Sequence, residues 1–501
     1  MKRLIIFITV LVCAYTNAQN INDVLRYSLE SLQGTARFQG MGGAFGAVGG
    51  DLSALNINPA GSAIFNHGLF TISGSNYNKD NSSRYFSGTS GALSNTWDIN
   101  QLGGALVFNS TNDNAEWNRL ALAFNYDLVQ NFDDRISVSG NSNQGIDNYF
   151  LDFAQGVPFG NILLQDGEYL EDAYLDIGAR QGFAEQQAFL GYYGGVIDPA
   201  ALEDDNVVYN RNADYSSVNQ DFRRSTYGYN GKFTMNLASQ YKKMLNIGAS
   251  LNFHNVLYDR VDLFTENGYN ADSEIKFTTF DNYLRTRGNG FSFSLGAIAK
   301  VNEIVRIGGS YQSPTWYQLT DDFSQRINSD LADSDIGFID FNIVNLFESY
   351  TVKSPGKVIG SLALVFGTNG LLSLDYGYQD FSQARLRPEG DPFFRSVNSE
   401  IASELGGVSS LRLGGEYRIE RFSLRGGYRY EQSPYNNGST IGDLNGYSGG
   451  LGYDFGGSRL DLAVNRTEQD VALRLFDTGL TTPALVNKIN TNVTLAYTFS
   501  F

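Results

Sequence analysis

The chain has 501 residues, with 53 acidic against 36 basic side chains and a formal charge of −17. That balance excludes nucleic-acid binding through a basic surface. The 30 tyrosines and 35 phenylalanines exclude a disordered chain, and a single cysteine, Cys13, excludes a disulfide framework.

The N-terminus reads MKRLIIFITVLVCAYTNAQ. Lys2 and Arg3 form a positive n-region, Leu4 to Val12 an apolar core, and Thr16-Asn17-Ala18 a cleavage site before Gln19. Residues 1–18 are therefore expected to be a secretory signal peptide cleaved near Ala18/Gln19. A lipoprotein signal at Cys13 is argued against by Val12, where a small residue is wanted. The exported chain then has no cysteine, so its stability in an oxidising compartment must have another source. No later stretch approaches the roughly 20 continuous apolar residues of a membrane helix. Glycine is abundant (55) and proline scarce (9). Such a chain points to an outer-membrane β-barrel, with a secreted β-sandwich or repeat adhesin as the alternative.

Residues 19–66 precede the first expected strand, 68–75, and are dense in glycine and small residues ("GMGGAFGAVGG"). That composition permits tight packing and unusual backbone angles. The stretch "GGDLSALNINPAGSAIF" within it is too apolar for an ordinary surface loop. A third strand is expected over 118–139, followed by a connection, 141–224, far longer than usual and therefore functional. Inside that connection Tyr169, Leu170, Ala173, Tyr174 and Ile177, then Ala184, Ala188 and Phe189, have the spacing of short amphipathic helices.

From 225 to 241 the odd positions carry Tyr227, Tyr229, Phe233, Met235 and Leu237, and the even ones Asn230, Lys232, Thr234 and Asn236. The segments 245–253 and 489–501 alternate in the same way, the last with Val493, Leu495, Tyr497, Phe499 and Phe501 on one face. These are period-2 strands with one apolar and one polar face. Short connections fall near 110–117, 242–245, 301–304, 367–370, 419–420 and 456–458. Long ones fall near 79–96, 141–224, 261–283, 321–350, 384–408, 433–443 and 470–486. Six short and seven long connections make fourteen antiparallel strands with both ends on the short-turn side. The expected fold is an all-β, 14-stranded transmembrane barrel over 67–501, with the outer loop 141–224 partly helical. Its closing Tyr-x-Phe-x-Phe resembles the signal read by the outer-membrane barrel assembly machinery.

"NPAG" (Asn58–Gly61) follows the glycine-rich segment; "YQSP" (Tyr311–Pro314), "LRLGGEYR" (Leu411–Arg418), "LRGGYRYEQSP" (Leu424–Pro434) and "GYDFGGSRLDLAV" (Gly452–Val464) come later. In these motifs and their order the chain resembles the FadL/TodX family of outer-membrane long-chain fatty-acid and hydrocarbon transporters. The resemblance covers nearly the whole mature chain. It implies that 19–66 is a hatch inside the barrel, with Asn58, Pro59 and Ala60 buried in the lumen; a simple turn into strand one is the alternative. It implies capture of a lipophilic small molecule by outer loops, a lumen pocket, and release through the hatch or through a lateral opening at a kink in strand three. Asn125, Tyr126 and Asp127 are the expected kink, although they lack the small, glycine-bearing character of the family's; an ordinary strand, with Asn125 and Asp127 facing the lumen by alternation, is the alternative. Phe183, Phe189, Leu190 and Tyr192 are the expected capture residues, or else a seal of the barrel mouth. The resemblance also implies a monomer in the outer membrane of a Gram-negative bacterium, in contact with its lipid and lipopolysaccharide.

By alternation Lys232, Arg412, Arg418, Arg425 and Arg429 face the lumen, as do Glu416, Glu431, Asp375, Asp454 and Asp461. Mutual ion pairing across a polar lumen is expected, with Arg425 the first choice for any arginine left to a ligand head group. Only two histidines are present, His67 and His254, and no Gly-x-Ser-x-Gly occurs, so no catalytic site is expected. His254 is expected as a solvated lumen residue. "NSDLADSDIGFID" places Gly337 wrongly for an EF-hand, and no metal or other cofactor is expected. The competing function is a structural or adhesive barrel without transport.

Overall fold

A computed structural model describes residues 20–112, 115–339 and 343–501. Residues 1–18, expected as a signal peptide, lie outside the described residues. Fourteen antiparallel strands form one closed transmembrane barrel. They are β1 (Leu69–Tyr85), β2 (Gly88–Asn109), β3 (in two segments, Trp117–Asn131 and Asp134–Ser142), β4 (Val218–Tyr241), β5 (Leu245–Asn267) and β6 (Phe277–Lys300). There follow β7 (Val305–Gln312 and Trp316–Ser329), β8 (Tyr350–Lys353 and Lys357–Phe366) and β9 (Gly370–Asp380 and Arg385–Arg387). The last five are β10 (Gly407–Ile419), β11 (Phe422–Glu431), β12 (Leu444–Asp454), β13 (Ser458–Leu473) and β14 (Ala484–Ser500). Closure comes from β1 pairing with β14, from Leu69↔Ser500 to Arg84↔Leu485.

Alternation in the sequence decides which face each side chain takes. On β4, Phe233, Met235 and Leu237 stand outside while Asn230, Lys232, Thr234 and Asn236 are buried in the lumen. On β14, Val493, Leu495, Tyr497 and Phe499 point outward, and Asn492, Thr494 and Ala496 inward. Where the ladders are complete, no backbone donor or acceptor faces hydrocarbon, so the apolar exterior is compatible with a bilayer.

The expected long connection 79–96 is instead strand. β1 and β2 run on to a tight turn at Phe86, which takes φ 49°. The signal fails because the side chains here are largely polar on both faces: Asn81 and Ser83 are buried against the second half of β3, where they bond to its backbone rather than fill an apolar core. The 261–283 connection shrinks in the same way to the residues between β5 and β6. β7 and β8 each break at a Ser-Pro pair, Ser313-Pro314 and Ser354-Pro355, since proline supplies no ladder donor. There Thr315 N donates to Ser354 Oγ (2.9 Å), a side-chain substitute for the lost bond.

Residues 20–67 occupy the lumen. Helix α1 (Ile21–Ser28) starts at a capping box formed by Asn20 and Asp23, and α2 (Ala36–Gly40) at Thr35. Two 3-10 turns follow, Leu52–Asn56 and Pro59–Ile64. The segment lies backbone against barrel wall. A Cβ on Gly296 would collide with Asn58, and one on Gly427 with Met41 and Gly42. Outside the wall, α3 (Asp147–Ala154), α4 (Leu170–Arg180) and α5 (Phe183–Tyr193) fold the long outer connection into a cap over the barrel mouth.

Candidate functional site

Strand β3 is where the wall changes. Its ladder with β2 ends at Gln101↔Asp127, whereas its ladder with β4 continues to Asn131 and resumes at Asp134↔Thr226. Beyond Gln101, β2 is paired only with β1 among the described residues. A register shift at Leu128/Gln130 turns both Leu128 and Val129 into buried positions, and Phe132 is buried just beyond. Opposite the break Gly228 takes φ 105°, a conformation that favours glycine, and accepts from Phe132 N (2.9 Å).

The second half of β3 packs behind the β1–β2 hairpin. Inward side chains of β1 bond to β3 backbone on both sides of the break: Lys79 Nζ to Asn131 O (2.9 Å) and Asn81 Nδ2 to Arg135 O (2.6 Å). Asn125, Tyr126 and Asp127, the expected kink, lie in regular pairing with β4; the irregularity begins two residues later, at Val129. Glycine supplied the flexibility from the neighbouring strand, which a reading of β3 alone does not reveal.

Residues Ser31–Gly34 of the lumen segment bridge this break from inside. Ser31 donates through N (3.3 Å) and Oγ (2.9 Å) to Val129 O, the carbonyl that the irregular ladder frees. Asn100, bulged out of the β1–β2 register, donates to Gly34 O (2.7 Å). Asp127 accepts from Asn56 Nδ2 (3.0 Å) and Ser53 Oγ (3.3 Å). Behind them is a cavity of about 40 Å³. One side is apolar: Leu32, Phe38, Ile57, Leu128 and Val129. The other carries Glu30, Asp127, Lys232, Arg412 and Arg429. Arg429 is tied to Glu431 (2.6 Å) and to Glu30 O (2.8 Å). Arg412 meets Glu431 only at 3.6 Å, and its Nε has no hydrogen-bond partner among the described residues.

The other expected site residues fall elsewhere. Asn58 caps the second 3-10 turn and donates to Gly46 O (2.8 Å) and Ala297 O (3.0 Å), while Pro59 O accepts from Asn236 Nδ2 (2.9 Å). Ala60 is fully buried beside them. These three residues fasten the lumen segment to β4 and β6. Phe189 and Leu190 are also fully buried, in the core of the outer cap, with Tyr192 half-buried at its edge, while half-buried Phe183 packs against the apolar cluster that includes Val24, Leu25 and Tyr27 of α1. The apolar face of α5 finds its partner in the cap itself, including Phe150, Tyr174 and Ile197. Arg425 is held by Glu416 (2.7 Å) and Asp461 (2.7 Å), and its Nη2 has no hydrogen-bond partner among the described residues. Asp375 accepts Gly46 N (3.0 Å), and Asp454 caps the turn at Gly456 (2.7 Å). His254 is buried rather than solvated, beside Tyr317 Oη (3.2 Å) and Asn230.

In the outer cap, burial raises the Asp147 carboxyl above its ordinary range, despite a hydrogen bond from Tyr215 (2.8 Å) and the charge of Arg211. The residues missed by sequence reasoning are Glu30–Gln33, Phe38 and Val129. Ser31 lies in a segment without periodicity, so nothing marked it as the partner of a strand carbonyl.

No family model and no curated protein sequence matches the chain. Among solved structures it is similar to a Pseudomonas aeruginosa FadL homologue at 13% identity, covering 95% of this chain and 100% of that one, with a TM-score of 0.54. The Ralstonia pickettii toluene transporter TbuX aligns at 14% identity over 94% and 99% of the two chains, TM-score 0.48. The Pseudomonas putida toluene transporter TodX aligns at 12% over 95% and 100%, TM-score 0.49.

Proposed function

We infer that this chain, a barrel of the FadL/TodX fold, moves lipophilic small molecules across the outer membrane. The carrying observation is the loss of the β2–β3 ladder at Asp127 directly beside a lumen cavity. Opening of the wall there would connect the lumen sideways with the bilayer, so a greasy cargo need not pass through water. The outer cap delivers the cargo, the cavity beside Val129 receives it, and the β2–β3 gap releases it.

The lining favours an amphiphile with an anionic head over a neutral hydrocarbon. Leu32, Phe38, Ile57, Leu128 and Val129 suit an acyl chain, while Lys232 and Arg412 suit a carboxylate. At about 40 Å³ the cavity is in its closed state. Ligand pockets are about 300–1,000 Å³, so loading displaces Glu30–Gln33 from β3. The Ser31 bonds to Val129 O are the contacts that must break. The apolar side chains of α5 then act by shaping the cap rather than by touching cargo in the closed state.

The test is uptake of a labelled long-chain fatty acid, and separately of toluene, into liposomes containing the purified barrel. Val129→Trp fills the cavity and is expected to cut uptake of both by tenfold or more. Lys232→Met removes one head-group cation and is expected to weaken fatty-acid uptake about tenfold, the value of one charge-assisted bond, with toluene unchanged. Absence of saturable uptake by the native barrel, with its folded gel mobility intact, overturns the transport reading and leaves the structural or adhesive one.

A further inference from the structure

At the short-turn end of the barrel is a second cavity, of about 430 Å³, lined by Ile64, Asn66, Asn109, Asn118, Gln240 and four cations: Arg119, Lys243, Lys300 and Arg306. Arg119, Gln240, Lys300 and Arg306 lie on the inward faces of β3, β4, β6 and β7, so this is the periplasmic mouth of the lumen. Ile64 and Asn66, the end of the lumen segment, form its floor. It is separate from the cavity beside Val129 and shares no lining residue with it.

Its charge pattern is unlike the rest of the molecule. The chain as a whole carries −17, and the lumen cations Arg37, Arg412, Arg425 and Arg429 each contact a carboxylate. Among the described residues no carboxylate lines the periplasmic mouth. Arg119 donates to neutral acceptors alone, Asn109 Oδ1 (2.8 Å), Ala63 O (3.1 Å) and Asn66 Oδ1 (3.1 Å). Arg306 reaches only Val48 O (3.3 Å). Lys243 and Lys300 make no ion pair among the described residues. The carboxylate that acts on Lys300 and Arg306 is Glu303, in the adjoining turn and outside the lining.

A second observation is backbone strain. Lys242 and Lys243 are the central residues of the β4–β5 turn, closed by Met244 N to Tyr241 O (3.0 Å), and both have positive φ, 48° and 56°. Such a turn favours Asn-Gly, and lysines there are held in a left-handed conformation that side chains disfavour. Lys242 turns away to pair with Glu116 (2.9 Å), while Lys243 lines the cavity. A cleft of one sign between low-dielectric walls concentrates counter-charge.

We propose that the periplasmic mouth is a binding site for a small carboxylate or phosphate oxyanion arriving from the periplasmic side, distinct from the lipophile path. Four converging cations and several amide groups match the oxygens of a multivalent anion, and the volume holds one small organic molecule.

The experiment is calorimetric titration of the full mature barrel, in detergent at low ionic strength, with citrate and separately with inorganic phosphate. Saturable one-to-one binding is expected for at least one, and which of them binds identifies the ligand as carboxylate or phosphate. The double variant Lys243→Gln/Lys300→Gln, which breaks no ion pair, is expected to lose affinity tenfold or more. Lys242→Gln, outside the cavity, is expected to bind as the native chain does. Folded gel mobility establishes that each variant is an intact barrel. No saturable binding of either anion overturns the proposal, as does unchanged affinity in the double variant or an equal loss in Lys242→Gln. None of these readings depends on fatty-acid uptake, so this site and the transport reading stand or fall separately.

Discussion

Glu416 is fully buried on β10, and its two oxygens accept from three guanidinium groups. Arg37 of the lumen segment binds it in fork geometry, Nε to Oε2 (2.8 Å) and Nη2 to Oε1 (3.1 Å); Arg425 of the wall adds a third bond (2.7 Å). Asp461 compensates Arg425, so removing the Glu416 charge strands Arg37. Breaking a buried pair from one side costs about 3–5 kcal/mol. Asn58→Ala leaves buried carbonyls at Gly46 and Ala297 short of a donor, which costs about 1–3 kcal/mol. We therefore expect Glu416→Gln to loosen the lumen segment more than Asn58→Ala does. The readout is protease release of residues 20–66 and the melting temperature of the folded gel form. The reverse order would make the Asn-Pro-Ala stretch the main fastening.

Whether an element was legible in the sequence depended on whether one physical rule governed it. β4 and β14 were legible because every second side chain meets lipid, and the six tight turns because they bracket such segments. The upper β1–β2 hairpin was not, since its side chains are largely polar on both faces. The lumen cations and carboxylates followed from alternation, but Arg37, the partner of Glu416, sits in an aperiodic glycine-rich stretch. The irregularity in β3 was displaced from Asn125–Asp127 because its glycine, Gly228, belongs to β4. In the outer cap, helical spacing correctly marked α4 and α5, yet a buried face does not say whether its partner is a ligand or its own loop. The cap also holds a strained charge: Asp147, at the start of α3, has one buried oxygen without a hydrogen bond. Because its folded carboxyl titrates above the ordinary Asp value of about 4, its contribution is fullest below that pH and declines as pH rises through the raised value. Asp147→Asn is expected to make the cap more protease-resistant at neutral pH and to flatten its loss of resistance between acid and neutral pH. A steeper loss in the variant would show that the ionised carboxylate stabilises α3.

At the scale of the molecule the barrel and the lumen segment are two different kinds of structure. The barrel is a ladder closed from β1 to β14, and residues 20–67 add donors to single wall carbonyls such as Val129 O and Ala297 O. The lumen segment, by contrast, has short helices and turns, and it stays in place through wall contacts such as Arg37–Glu416, Asn58–Ala297 and Ser31–Val129. An eight-stranded barrel fills with its own side chains, whereas sixteen to eighteen strands leave an aqueous channel. Fourteen strands with glycines on the inner wall, such as Gly296 and Gly427, leave a lumen that the segment must fill. Deleting residues 20–66 is therefore expected to leave a folded, heat-modifiable barrel that conducts ions in a planar bilayer, in steps absent from the full chain. The cap does not substitute for the segment, because its core packs over the outer mouth rather than against the mid-lumen wall. If the shortened chain fails to fold, the inner glycines belong to the folding of the wall itself. If it folds and stays closed, the cap is the barrier, and cargo would have to open the cap before it met the gap beside β3.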